Sequence, residues 1–137
     1  MTPDQIDLSR RLAAQERFRW MAGMAFYVRD APRANMQLAW VSPGGELWAT
    51  VTRLAAKDAG PARELFAYDQ DGSYPDLDDP ATVGCLLTML WETWPEQTIG
   101  YYRRPMTDSE LWWIGCHTSG ATPGEATARA LLAAWGG

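Results

Sequence analysis

The stretch Asp79-Pro80-Ala81-Thr82-Val83-Gly84-Cys85-Leu86-Leu87-Thr88-Met89-Leu90-Trp91-Glu92-Thr93-Trp94-Pro95 decides the fold class. Asp79 can accept from the unpaired amides that open a helix, and Pro80 suits the first helical position, where no N–H is needed. Val83, Leu86, Leu87, Leu90, Trp91 and Trp94 follow helical spacing, so one apolar stripe runs the length of the segment until Pro95 ends it. Such a stripe needs another layer to bury it.

The flanking sequence supplies that layer. Thr2-Pro3-Asp4-Gln5 carries a cap, a first-turn proline and a reciprocal glutamine, which predicts a helix to about Glu16 with Ile6, Leu12 and Ala13 on its inner side and Leu8 adjoining. Thr122-Pro123-Gly124-Glu125 opens a third helix that closes near Trp135, with Gly136 as its C-cap. Between the first two helices, an extended run covers Ala25 to Arg29. Met36, Leu38 and Trp40 then alternate with Gln37 and Ala39, Ser42-Pro43-Gly44-Gly45 turns the chain, and Leu47, Ala49 and Val51 alternate with Trp48, Thr50 and Thr52. That pattern is a hairpin. Glu64 to Tyr68 predicts a third strand, and Thr98 to Arg103 and Leu111 to His117 two more. The expected fold is α+β in a single domain, 1–137, in the order α-β-β-β-α-β-β-α. One mainly antiparallel five-stranded sheet is covered by the central and terminal helices, with Asp79 to Trp94 as the main packing element.

Composition bounds the rest. Hydrophobic residues make up 47% and charged residues 21%, the balance of a globular chain that folds alone. Apolar runs such as Ala81 to Leu87 fall well short of a membrane span, and the acidic start of the chain lacks the basic and apolar regions of a secretory signal. The expected location is therefore the cytoplasm. Cys85 and Cys116 are too few for a disulfide framework and read as small core residues. A net charge of −5 disfavours duplex DNA as a partner. The eight tryptophans predict an aromatic-rich core, with a share of them left over to line a surface or groove.

Asp69, Asp71, Asp76, Asp78 and Asp79 crowd one segment, but a calcium loop starting at Asp69 would need glycine and a bidentate acid where Tyr74 and Pro80 stand. The segment reads as a solvated acidic loop, and Asp69, Asp71, Asp76 and Asp78 as candidate partner-binding residues. Cys85, Cys116 and His117 lack paired zinc spacing, and His117 diverges from Cys116 if both sit on one strand. No phosphate-cradling glycine loop, nucleophile elbow or paired catalytic glutamates occur, so the sequence points to binding without a metal or cofactor. Arg17-Phe18-Arg19-Trp20 and Tyr101-Tyr102-Arg103-Arg104 interleave guanidinium groups with rings, a chemistry that can hold a phosphate and stack a base. On that alternative Arg19, Trp20, Tyr102, Arg103 and Arg104 form a small-ligand or nucleotide pocket. The favoured reading is that the rings are core anchors and the arginines their solvated flanks or partners of the many acids.

Residues Ile6 to Leu12 continuing to Arg19-Trp20-Met21-Ala22-Gly23-Met24, the run Pro75 to Leu87, and the closing segment Thr122 to Trp135 resemble small uncharacterised proteins carried by tailed bacteriophages and prophages. The resemblance implies a phage accessory product acting in an infected bacterial cytoplasm on a host or phage protein, a host defence protein among them. It carries over no functional residue. The resulting expectation is a non-catalytic protein that binds a macromolecule through an acidic and aromatic surface, with the oligomeric state open and a homodimer included.

Overall fold

Each helix begins where its capping signal stands. In the computed structural model, which describes residues 1–29, 36–54, 61–95, 101–103, 112–114 and 118–136, without the side chains of 36–38, 52–54, 61–63 and 101–103, α1 spans Pro3–Ala13, α2 Pro80–Thr93 and α3 Pro123–Trp135. Gln5 N donates to Thr2 Oγ1 at 3.2 Å while Thr2 N donates to Gln5 Oε1 at 2.9 Å, which closes the box at the start of α1. Thr82 N donates to Asp79 Oδ2 at 2.8 Å, and Glu125 N to Thr122 Oγ1 at 3.2 Å. Gly136 ends α3 in the left-handed region, at φ 75°, where a side chain would be strained.

The inner face of α1 differs from the apolar pattern. Gln5, Leu8, Ser9 and Leu12 are buried, whereas Ile6 and Ala13 are only half-buried. Two polar residues go inside because each has a partner there. Gln5 Nε2 donates to Glu125 Oε2 at 3.1 Å, and Ser9 Oγ to the Pro75 carbonyl at 2.5 Å. The helix also stops at Ala13, short of Glu16.

The strands are β1 (Phe26–Val28), β2 (Met36–Val41), β3 (Leu47–Leu54), β4 (Pro61–Tyr68), β5 (Ser73–Pro75), β6 (Tyr101–Arg103), β7 (Trp112–Ile114) and β8 (Thr118–Gly120). All described pairings are antiparallel, but the strands divide into three small sheets, β1-β5, β2-β3-β4 and β6-β7-β8, rather than one sheet of five. The cause lies in the acidic segment. Gly72, at φ 81°, turns the chain so that Ser73, Tyr74 and Pro75 are buried and pair with β1. A β1 partner is thereby supplied from within the predicted loop, while β6, β7 and β8 form a separate sheet whose β7 and β8 lie against α3.

The hub is α3 rather than α2. It packs on α1, α2, β7 and β8, and Gly124, Ala126, Ala128 and Ala130 are all buried, because small side chains let neighbouring backbones come close. The core is built from Leu12, Met24, Phe26, Leu47, Leu77, Leu86, Leu90 and Leu131 and their neighbours. It contains no buried tryptophan, which corrects the expectation of a tryptophan-rich interior. Trp91 is 55% exposed and the other seven are half-buried. An indole carries one N–H that wants a partner, so its polar edge favours a position where the ring is only partly covered. Among the described residues no helix is long and apolar enough to cross a membrane.

Candidate functional site

Arg19 and Trp20 do not form a ligand pocket together. The Arg19 guanidinium clasps Glu92 on α2, its Nη2 lying 2.5 and 2.7 Å from the two carboxylate oxygens. Both side chains are half exposed, so the pair contributes little stability, but it occupies the cation a phosphate would need. Trp20 belongs to a chain of edge-to-face rings, 5.1 Å from Phe18 and 6.1 Å from Phe26, which in turn meets Tyr68 at 6.0 Å. This ring is a core flank and not an open stacking platform. Tyr102 and Arg103 lie on β6 opposite Trp113 and Trp112 in register, with their side chains outside the described residues. Arg104 lies outside the described residues altogether, as do Cys116 and His117.

The acidic segment divides into structural and open members. Asp76 accepts from the Tyr27 hydroxyl at 3.1 Å and from Asp78 N at 3.0 Å, which holds the turn leading into α2. Asp78 Oδ2 lies 3.1 Å from the Met1 amino group, and Asp79 caps α2. Asp69 and Asp71 are exposed. Neutralising Asp76 and Asp78 would therefore disturb the fold as well as any partner surface.

The aromatic surface lies on the β2-β3-β4 sheet. The turn Ser42–Gly45 sets Val41 opposite Leu47 and Trp40 opposite Trp48. Val41, Leu47 and Ala49 are buried on the core face. Because the side-chain period of a strand is two, Trp40 and Trp48 then share the other face, continued across β4 by Ala67 opposite Trp48 and Leu65 opposite Thr50. The alternation in β2 thus points Trp40 outward, while Ala39 joins the core side. Neither Trp40 nor Trp48 packs on the core cluster, and Leu65 is 56% exposed. Trp48 Nε1 donates to Glu46 Oε2 at 3.2 Å. Glu46 and Asp69 border a neighbouring cleft of 320 Å³ with Ala67, Tyr68 and Gln70, and no basic side chain among the described residues lines it.

No protein-family model, curated protein or solved structure matches this chain. The site must therefore be read from its own geometry.

Outside that sheet, Arg17, Arg19, Met89, Glu92, Thr93 and Trp135 line a cleft of 300 Å³ in which Trp135 Nε1 donates to Thr93 Oγ1 at 3.2 Å. A smaller cleft of 250 Å³ gathers Arg10, Arg29 and Tyr74 with the Gln70–Ser73 turn. Sequence reading missed it because these residues come from α1, the end of β1 and β5, with no motif to join them. Among the described residues no group of three His, Cys, Asp or Glu side chains is placed to hold a metal ion.

Cys85 is half-buried on α2, its Sγ 3.7 Å from the Ala22 carbonyl oxygen. Burial, and secondly the Asp79 carboxylate, push its thiol above the ordinary cysteine range. The thiolate is the reactive form, so a raised pKa keeps Cys85 protonated at neutral pH. Alkylation by iodoacetamide, located by mass spectrometry, should proceed at Cys85 several-fold more slowly than at an unstructured peptide cysteine. Asp79→Asn, which keeps the cap, should narrow the gap, since it removes the secondary cause alone. Equal rates for protein and peptide would contradict this placement.

Proposed function

We propose that this protein is a binding protein of phage or prophage origin that engages a partner protein through the outer face of its β2-β3-β4 sheet. The observation that carries the reading is Trp40 and Trp48 side by side in register next to exposed Leu65, none of them packed on the core. Tryptophan is among the residue types that most often dominate protein interfaces, and apolar faces left off the core mark contact sites. Glu46 and Asp69 beside the face, in a chain of net charge −5, select a partner whose apolar patch is rimmed by lysine or arginine. The phage attribution is supported by the resemblance of the three segments around Ile6, Pro75 and Thr122.

The test places the photo-crosslinking residue p-benzoylphenylalanine at position 65, and separately at exposed Ala81, in bacterial cells. A discrete adduct is expected from position 65 only, and it should disappear in Trp40→Ala and Trp48→Ala. With the captured protein purified, Trp48→Ala should raise Kd about 30-fold, the equivalent of a hot spot of about 2 kcal/mol. Association should slow as salt rises, and Glu46→Gln with Asp69→Asn should reproduce much of that slowing. Equal adducts from both positions, or an association rate indifferent to salt and to these substitutions, would overturn the reading.

A further inference from the structure

Two guanidinium groups without a carboxylate partner among the described residues share one small cleft. Arg10, in the last turn of α1, lies over the Tyr74 ring at 5.1 Å from its centroid. Arg29 follows β1, its backbone N–H bonded to the Gly72 carbonyl at 2.8 Å, which ties it to the turn that forms the opposite wall. Among the described residues neither arginine forms an ion pair, and both line the 250 Å³ cleft with Asp71, Gly72 and Ser73. Ser73 Oγ is engaged by the Asp69 carbonyl, and Gln70 Nε2 by the Gly45 carbonyl, so the arginines are the open donors of the cleft.

From this arrangement we infer that the cleft between α1, β1 and the Gln70–Ser73 turn is a binding site for a small oxyanion, a phosphate or carboxylate group. A planar guanidinium offers paired N–H donors that match both groups. The Tyr74 ring holds Arg10 in place, so less side-chain freedom is lost on binding. Two full positive charges exceed the combined opposition of Asp71 and the roughly half-unit negative end of α1. Among the described residues that line it, the cleft's charge balance is thus positive, in a chain of net charge −5. Its volume lies a little below the range of about 300 to 1,000 Å³ common for small-molecule sites, which suits one anionic group while the remainder of a larger ligand extends into solvent. The inference is independent of the protein-binding face, since it uses none of Trp40, Trp48 or Leu65.

The experiment is a titration of the full chain, labelled for amide and arginine Nε correlation spectra, with sodium phosphate, sodium acetate or sodium chloride at matched ionic strength. Saturable shifts of Arg10, Arg29, Gly72 and Ser73 are expected with phosphate or acetate and not with chloride, the tighter of the two identifying the group. Arg29→Gln and Arg10→Gln should each weaken binding at least tenfold. Both side chains are exposed, and Arg29→Gln leaves the contact with Tyr74 intact, so it keeps the test decisive should Arg10→Gln unfold. Shifts that grow linearly with every salt, or binding unchanged in Arg29→Gln, would overturn the inference.

Discussion

Gly124→Ala is expected to destabilise the fold by about 4 kcal/mol or more, among the largest effects a single methyl group can have. A Cβ at this position would fall inside contact distance of the Leu77 carbonyl oxygen and 2.8 Å from its carbonyl carbon. Both obstacles are backbone, so no rotamer change relieves them. Leu77 is itself 1% exposed and sits in the turn between β5 and α2, while Gly124 begins the most buried helix of the chain. Moving either apart would open the contact between α3 and the rest of the core. The gain in helix propensity from alanine, at most about 1 kcal/mol, is far too small to compensate. Gly84→Ala is the matched control. It lies within α2 with nothing within 4 Å of the added methyl, and should stabilise the protein by about 0.5 to 1 kcal/mol. Urea unfolding followed by circular dichroism separates the two, and a Gly124→Ala variant within about 1 kcal/mol of wild type would refute the close approach.

Leu90→Ala should cost about 2 to 5 kcal/mol, through lost transfer energy together with the cavity left behind. Leu90 is 0% exposed on the side of α2 that carries Leu86 and Met89, the face packed on the core. The stripe read from the sequence also contains Leu87 and Trp91, and the structure ranks these differently. Leu87 is half-buried, so its truncation should cost less than about 2 kcal/mol, and Trp91→Ala should fall within about 0.5 kcal/mol of wild type. The same unfolding series measures all three. Equal losses at Leu90 and Trp91 would mean that α2 is rotated about its axis from the orientation described here.

The helix stripe illustrates why spacing identified α2 but not its inward face. Helical periodicity marks a sector wide enough to hold Val83, Leu86, Leu87, Leu90, Trp91 and Trp94, and only packing in the folded chain selects Leu86 and Leu90 from it and adds Met89, which the stripe had left out. In α1 the opposite failure occurs, because burial of Gln5 and Ser9 depends on Glu125 and the Pro75 carbonyl, far away in the chain. Glu125 gathers Gln5, the Ala121 amide and Arg129 about one carboxylate, so a residue legible as a helix-start acid also joins α1 to α3.

The candidate sites divide in the same way. Arg19 and Trp20 were legible as an arginine–ring pair, yet a glutamate on α2 and rings at Phe18 and Phe26 take up their chemistry. The outer tryptophan face of the β2-β3-β4 sheet was half legible. Alternation showed two apolar strands, but whether Trp40 and Trp48 meet on one face depends on cross-strand register, which the turn sets. Arg10, Arg29 and Tyr74 had no shared signal at all.

By itself the sequence determined the starts of all three helices, the end of α3 and the strand–turn–strand of the hairpin, because caps, prolines and alternation act between residues a few positions apart. The tertiary structure alone decided that the acidic segment supplies β5, that the strands form three sheets, that no tryptophan is fully buried and that α3 is the hub. Those outcomes depend on which distant backbone or side chain satisfies each buried polar group and fills each gap, and local spacing carries no record of a partner tens of residues away.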